Sequence, residues 1–403
     1  MTAPVSDGRS SRLPSLTGLR WWAAMLVFLQ HIALESTGYC LPGSTGRPVA
    51  CTVAQKSFMH GFVGVACFFV LSGFVLAWVA GPGDTKGRFW RRRFAKIYPL
   101  FLLAVAVDIL VRLAVGAPKQ SFGVYVANVF LVQTWIPDVD VYTAVLPVIW
   151  SLSCELFFYL CFPFLYAWFR RLGDRTLAVL AAGLVFWALV PVAVAWLIRP
   201  SWASDPKVLP WLLYMFPPTR ISEFALGMIA ALLVKRGALA RVKVGVALPV
   251  AVAAFAAGAW LMPKLHLWVP SLGAMMAPVF ALLIVALANA DIAGAWSPMR
   301  GRTMVKLGMI SYAFYLFHVP VAQYLGAQFA WDTTADVLAY VVTALALTAL
   351  YSWALHEWFE KPGQRLLGPS PRPRKASAVV TLPARDIVRQ PEPALAEGGA
   401  PVS

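Results

Sequence analysis

The chain has 403 residues, of which 60% are apolar or aromatic and only 13% charged, with a net charge of +16. Soluble globular proteins carry roughly 45–50% apolar and about 25% charged residues, so the composition excludes a soluble enzyme and a disordered chain. It also excludes a nucleic-acid binder, because the basic residues form short clusters between long apolar runs instead of lining one polar face.

The first apolar run follows Arg9 and Arg12 and has no small-residue cleavage site after it, so no cleavable signal peptide is expected. A spanning helix needs about 20 mostly apolar residues. Ten runs qualify, at approximately 17–35, 58–80, 96–116, 147–169, 176–198, 210–234, 244–262, 266–290, 303–326 and 335–358. The stretch 121–136 is too short to span and reads as a re-entrant or interfacial helix on the outer side. The expected fold is therefore all-α, a polytopic membrane protein of about ten transmembrane helices with no internal repeat.

Orientation follows from Lys and Arg in alternate loops. With the N-terminus in the cytoplasm, the inner segments and tail hold 25 basic residues and the outer loops six, while Arg20, Arg112 and Arg220 lie inside spans. That asymmetry predicts both termini inside, and the Ala-, Val- and Arg-rich composition suggests a high-GC bacterial source, hence a bacterial plasma membrane. Residues 366–403, rich in Pro, Ala, Arg and Ser without periodicity, read as a disordered cytoplasmic tail after a membrane domain of 1–365. The tail is either a solvated extension or a membrane-surface anchor. Cys40 and Cys51 share the first outer loop, either bridged or as free thiols, and the other three Cys read as small packing residues.

Ionisable groups in a bilayer core cost a few kcal/mol each on insertion scales, so each is a functional candidate. His31 follows Arg20 by eleven residues, about 16 Å along the axis and back to within roughly 20° of the same face. Glu155 and His318 count to about 12 Å below the outer surface, Asp108 to a similar depth, and Arg220 and Glu223 are i,i+3 neighbours near mid-membrane. Together they read as the lining of one cavity. The cluster RFWRRRFAKIYP at 88–99, with Arg88, Arg91, Arg92, Arg93 and Lys96, is both a topology signal and a candidate phosphate site shared with Arg20. His60, His266 and His356 lie at span ends, where interfacial placement accounts for them. No metal-ligand spacing, phosphate-binding glycine loop or nucleophile elbow is present.

Seven segments in order resemble the membrane-bound acyltransferase-3 family. They are LTGLRWWAAMLVFLQH at 16–31, GVACFFVLSGFVL at 64–76, RRRFAKIYPLF at 91–101, WSLSCELFFYLCFP at 150–163, TRISEFALGM at 219–228, ISYAFYLFHVPV at 310–321 and HEWFEKP at 356–362. The resemblance covers about 14–365. Two departures accompany it: Lys96 stands where the family often has Arg, and no esterase-like domain follows the tenth span. The second departure argues against wall-peptidoglycan acetylation of the two-domain type.

The resemblance implies an O-acyltransferase moving an acyl group, usually acetyl, from acyl-CoA to a hydroxyl of a sugar-containing acceptor. Surface polysaccharides, exported or lipid-linked glycans and macrolide-type natural products are the acceptor classes it brings into view. No permanently bound cofactor is expected. Thioester transfer to an alcohol needs a base, a fixed thioester and charge stabilisation at the carbonyl oxygen. A neutral imidazole with a pKa of about 6.5 suits the first role. His31 is thus the expected general base, or alternatively an acyl-imidazole nucleophile, and Glu155 its orienting carboxylate if the two meet. Arg20 and the 88–96 cluster would hold CoA phosphates. His318, Arg220, Glu223, Asp108 and Ser72 would line the acceptor side. The reading from another class is a transporter or flippase, since buried charges also mark translocation paths.

Overall fold

The computed structural model describes residues 13–39, 58–81, 84–114, 116, 120–198, 208–264, 271–326, 328–329 and 333–368. Among these the regular structure is entirely helical. The chain runs through α1 (Pro14–Tyr39), α2 (Val63–Val79), α3 (Lys86–Ala114), α4 (Phe122–Val129), α5 (Val139–Tyr142) and α6 (Trp150–Phe169). It continues through α7 (Asp174–Ile198), α8 (Pro217–Lys235), α9 (Val244–Lys264), α10 (Ser271–Ile292), α11 (Arg302–Gly326), α12 (Thr334–Leu355) and α13 (Lys361–Leu367). A long helix occupies each of the ten apolar runs. Among the described residues, seven helices are long and apolar enough to cross a membrane by length and composition, while α2 has 17 residues.

Burial separates the inner helices from the outer. In the apolar windows of Trp211–Lys235 and Val244–Leu261, 83% and 11% of residues are buried. The first is apolar all round because it is surrounded by protein; the second is apolar because its outer face meets hydrocarbon. α8 packs on α2, α6, α7 and α10, and α1 packs on α2 and α11.

Lipid offers no hydrophobic drive between helices, so close contact depends on small residues and van der Waals fit. Gly73 on α2 and Gly227 on α8 meet reciprocally. A Cβ on Gly73 would strike the Phe224 carbonyl, and one on Gly227 would strike that of Val70.

Polar contacts gather the basic segments in pairs. The Ser15 N–H and hydroxyl donate to Asp291 at 2.8 and 2.7 Å. Lys235 donates to the Ala77 carbonyl at 2.9 Å, Arg236 pairs with Asp174 at 2.8 Å, and Arg91 donates to the Leu367 carbonyl at 3.1 Å. α13 carries helix two residues into the stretch read as tail; residues beyond 368, and Cys40 and Cys51, lie outside the described residues.

The 121–136 stretch forms α4 and then a 3-10 turn at Gln133–Trp135, joined through Leu131 at φ 57°. After the exposed Pro137 and Asp140 the chain turns inward, with Val145, Leu146, Val148 and Ile149 at most 1% exposed. α6 therefore starts from a buried segment and not from an exposed loop.

Candidate functional site

A cavity of about 130 Å³ opens among α1, α2, α3, α6 and α11. Its polar wall consists of Arg20, Arg93 and Lys96, then Glu155, Tyr159 and Ser72, then Ser151, Ser311, Tyr312 and Tyr315. Helical spacing produces this wall. Ser151, Glu155 and Tyr159 are four residues apart on α6, Arg93 and Lys96 three apart on α3, and Ser311 and Tyr315 four apart on α11. The Tyr159 hydroxyl donates to Glu155 Oε2 at 3.0 Å and bonds with Ser72. Arg93 Nε is buried with no hydrogen-bond partner in the protein. An unpaired buried guanidinium N–H costs on the order of 1–3 kcal/mol, which makes Arg93 a costly residue to place at this wall.

Beyond the cavity lies a pair of imidazoles. His31 Nδ1 is 2.9 Å from the Val27 carbonyl oxygen and 3.3 Å from His318 Nε2. His318 Nδ1 is 2.8 Å from the Tyr315 carbonyl oxygen and 3.2 Å from that of Phe314. A carbonyl only accepts, so both Nδ1 atoms carry hydrogen when the rings are neutral. His318 Nε2 then accepts from His31 Nδ1–H, and His31 Nε2 retains its lone pair. Phe28 and Phe314 pack around His318, which is 1% exposed, whereas His31 is half-buried.

Tyr315 connects the two regions. Its ring is 5.9 Å from that of His318, and its hydroxyl meets Ser151 Oγ at 2.7 Å on the cavity wall.

The expected site residues therefore separate into groups. Arg20, Arg93, Lys96, Glu155 and Ser72 line the cavity, while His31 and His318 pair beyond it. Glu155 does not meet His31: its hydrogen bond goes to Tyr159, and it shares the wall with three cations. Counting from the loop puts Glu155 level with His31, whereas it shares its cavity with Arg20, eleven residues before His31 on α1. The hydrogen bond expected from a carboxylate is made by His318.

Arg88 is half-buried in the first turn of α3, Arg91 is tied to Leu367, and Arg92 pairs with Asp84 at 3.1 Å, so none of the three is on the wall. Asp108 also lies off the wall. It pairs with Arg112 at 2.7 Å, and Arg112 clamps the Val145 carbonyl at 2.7 Å. Arg220 pairs with Glu223 at 3.0 Å within an aromatic cage, 4.7 Å from Tyr214 and 5.4 Å from Phe69. It backs the cavity through Phe69 and does not line it. His356 is buried, not interfacial, and His266 lies outside the described residues. Ser151, Tyr159, Ser311, Tyr312 and Tyr315 are wall residues that the sequence reading did not name, although Ser151 and Tyr159 stand four residues either side of Glu155 and Tyr315 three before His318.

A family model described as an acyltransferase domain matches residues 13–356. Acyltransferase MdmB of Streptomyces mycarofaciens is 35% identical over 395 residues, covering 94% of this chain and 97% of that protein. O-acetyltransferase OatA of Staphylococcus aureus is 23% identical over 87% of this chain, which spans 57% of OatA's length. A putative acetyltransferase, ORF330 of Acidianus two-tailed virus, is 27% identical over 55% of the chain. No solved structure matches. With the family model matching most of its length, and with its apolar helices enclosing a polar cavity, the chain belongs to the acyltransferase-3 family of multi-pass membrane acyltransferases.

Proposed function

We propose that this protein is an acyl-CoA-dependent O-acyltransferase that moves an acyl group, acetyl foremost, onto a hydroxyl of a sugar-containing acceptor. The single observation that carries this reading is a polar cavity with three cations at one end, leading through Tyr315 to a tautomer-fixed imidazole pair. The basic end faces the cytoplasm, where acyl-CoA is found, in accord with the 25 to six distribution of Lys and Arg.

Arg20, Arg93 and Lys96, which line the cavity, hold the phosphates of the donor through charge-assisted hydrogen bonds. The pantetheine arm follows the Arg20–His31 face of α1, about 16 Å along its axis. His31 Nε2 takes the proton of the acceptor hydroxyl as its oxygen attacks the thioester carbonyl. Negative charge develops on that carbonyl oxygen; the Ser151 and Tyr315 hydroxyls, whose hydrogens are engaged with each other and at the Val148 carbonyl, would have to turn from that carbonyl to donate to it. The C–S bond then breaks, the thiolate takes the proton from the imidazolium, and ester and CoA thiol leave. The imidazolium is held through Nδ1–H by the Val27 carbonyl and His318 Nε2, the role that a carboxylate plays in a hydrolase triad.

The experiment uses purified protein in liposomes, acetyl-CoA and extracted glycan acceptors. The expected result is release of CoA thiol that depends on acceptor, with acceptor mass rising by one acetyl group. A transporter would move substrate across the vesicle without releasing thiol, and that result would refute the proposal.

A further inference from the structure

One polar cluster lies outside the machinery described so far. α12 passes into a π turn at His356–Glu360 before α13, a rare geometry that re-aims side chains within a helix and recurs at functional sites. Here it brings His356 Nδ1 to 2.8 Å from Glu360 Oε2, while Gln364 Nε2 donates to Glu360 Oε1 at 2.9 Å. Both carboxylate oxygens are engaged. Glu360 is 5% exposed and His356 8%, and His356 Nε2 is buried without a hydrogen-bond partner in the protein. Folding alone gives no reason for a buried charge and an orphaned ring nitrogen at the end of a helix.

The location supplies a reason. The π turn that ends in Glu360 packs against α3 and α11, the helices that place Lys96 and Tyr312 on the cavity wall, without a direct ion pair between Glu360 and Lys96. That wall gathers Arg20, Arg93 and Lys96 around one carboxylate, Glu155, which already accepts from Tyr159. Lysine is a point charge on a flexible stem. Without a further counter-charge, repulsion by two guanidiniums would drive its ammonium away from the cavity.

We infer that Glu360, fixed by His356 and Gln364, is a positioning residue that holds Lys96 at the cavity wall to meet an anionic phosphate of the donor. The inference rests on the reading of this cavity as the donor site.

The test measures KM and kcat for acetyl-CoA, together with thermal unfolding, on purified Lys96→Gln, Glu360→Gln and the double variant. Each single change is expected to raise KM about tenfold with kcat within about twofold, a coupling of ordinary size for neighbouring charges. The double variant should be no worse than the more affected single one, because Glu360 acts through Lys96. His356→Gln removes one support of Glu360 and should raise KM less; it carries the same test if Glu360→Gln does not fold. KM effects that multiply in the double variant would overturn the inference. So would a Glu360→Gln enzyme whose kcat and melting temperature fall together, the mark of a purely structural residue. If Lys96→Gln raises KM and the folded Glu360 and His356 variants do not, the inference alone fails. If Lys96→Gln leaves KM unchanged, the donor-site reading fails and takes the inference with it.

Discussion

At the residue scale, chemistry depends on which nitrogen holds a proton. Val27 and His318 both engage His31 Nδ1, so Nε2 is the basic atom. His31→Gln keeps a hydrogen-bonding side chain but cannot take up the proton. It is expected to lower kcat by about 10²–10⁴ with little change in melting temperature. His318→Leu removes an acceptor while the Val27 carbonyl still fixes the tautomer. Its kcat should therefore fall less, by about tenfold, with KM for acetyl-CoA unchanged. Substantial transfer by a folded His31→Gln enzyme would refute the general-base assignment. Asp108 makes the opposite case. Its partner Arg112 holds the Val145 carbonyl and so the buried entry to α6. Asp108→Asn should cost about 1–3 kcal/mol in unfolding experiments and leave acceptor KM unchanged; a selective rise in acceptor KM would return it to the binding site.

At the element scale, the crossing of α2 and α8 sets the back of the cavity, because α2 carries Phe69 and Ser72. Gly73 and Gly227 let the two backbones touch, each followed four residues later by Ala77 and Ala231 in the small-xxx-small pattern. Gly227→Ala should push the helices apart, cost about 1–3 kcal/mol as overpacking does, and lower the melting temperature. Gly183→Ala on α7, where a Cβ would meet nothing within 4 Å, should be neutral or mildly stabilising. Equal melting temperatures for the two variants would show that the crossing tolerates separation. The π turn at His356–Glu360 belongs to this scale too, since one residue of extra register separates a regular helix end from a buried carboxylate.

At the scale of the whole molecule, the arrangement of basic segments predicts sidedness. Tags at the C-terminus and in the 86–95 segment should be protected in sealed right-side-out vesicles, and a cysteine in the 42–50 loop should react from outside. An external C-terminus would change the number of crossings. Much of the molecule was legible in the sequence: the helices, the short non-spanning stretch, the family, and the Arg20–His31 stripe on one helix. Hydropathy and period are local, and a bilayer leaves backbone polar groups no partner but the helix itself, so those features follow from consecutive residues. The partners of the ionisable groups did not follow. Glu155 shares a wall with cations instead of meeting His31, His318 takes the place expected of a carboxylate, and Asp108 and Arg220 pair with Arg112 and Glu223 off the cavity wall. Counting residues from a loop measures depth only when the helix begins at the surface, and α6 begins from a buried segment. Which side chains meet depends on how far each helix slides and turns against its neighbours. That is fixed by contacts such as Gly73 on Phe224 and Arg112 on Val145, made between residues far apart in the chain.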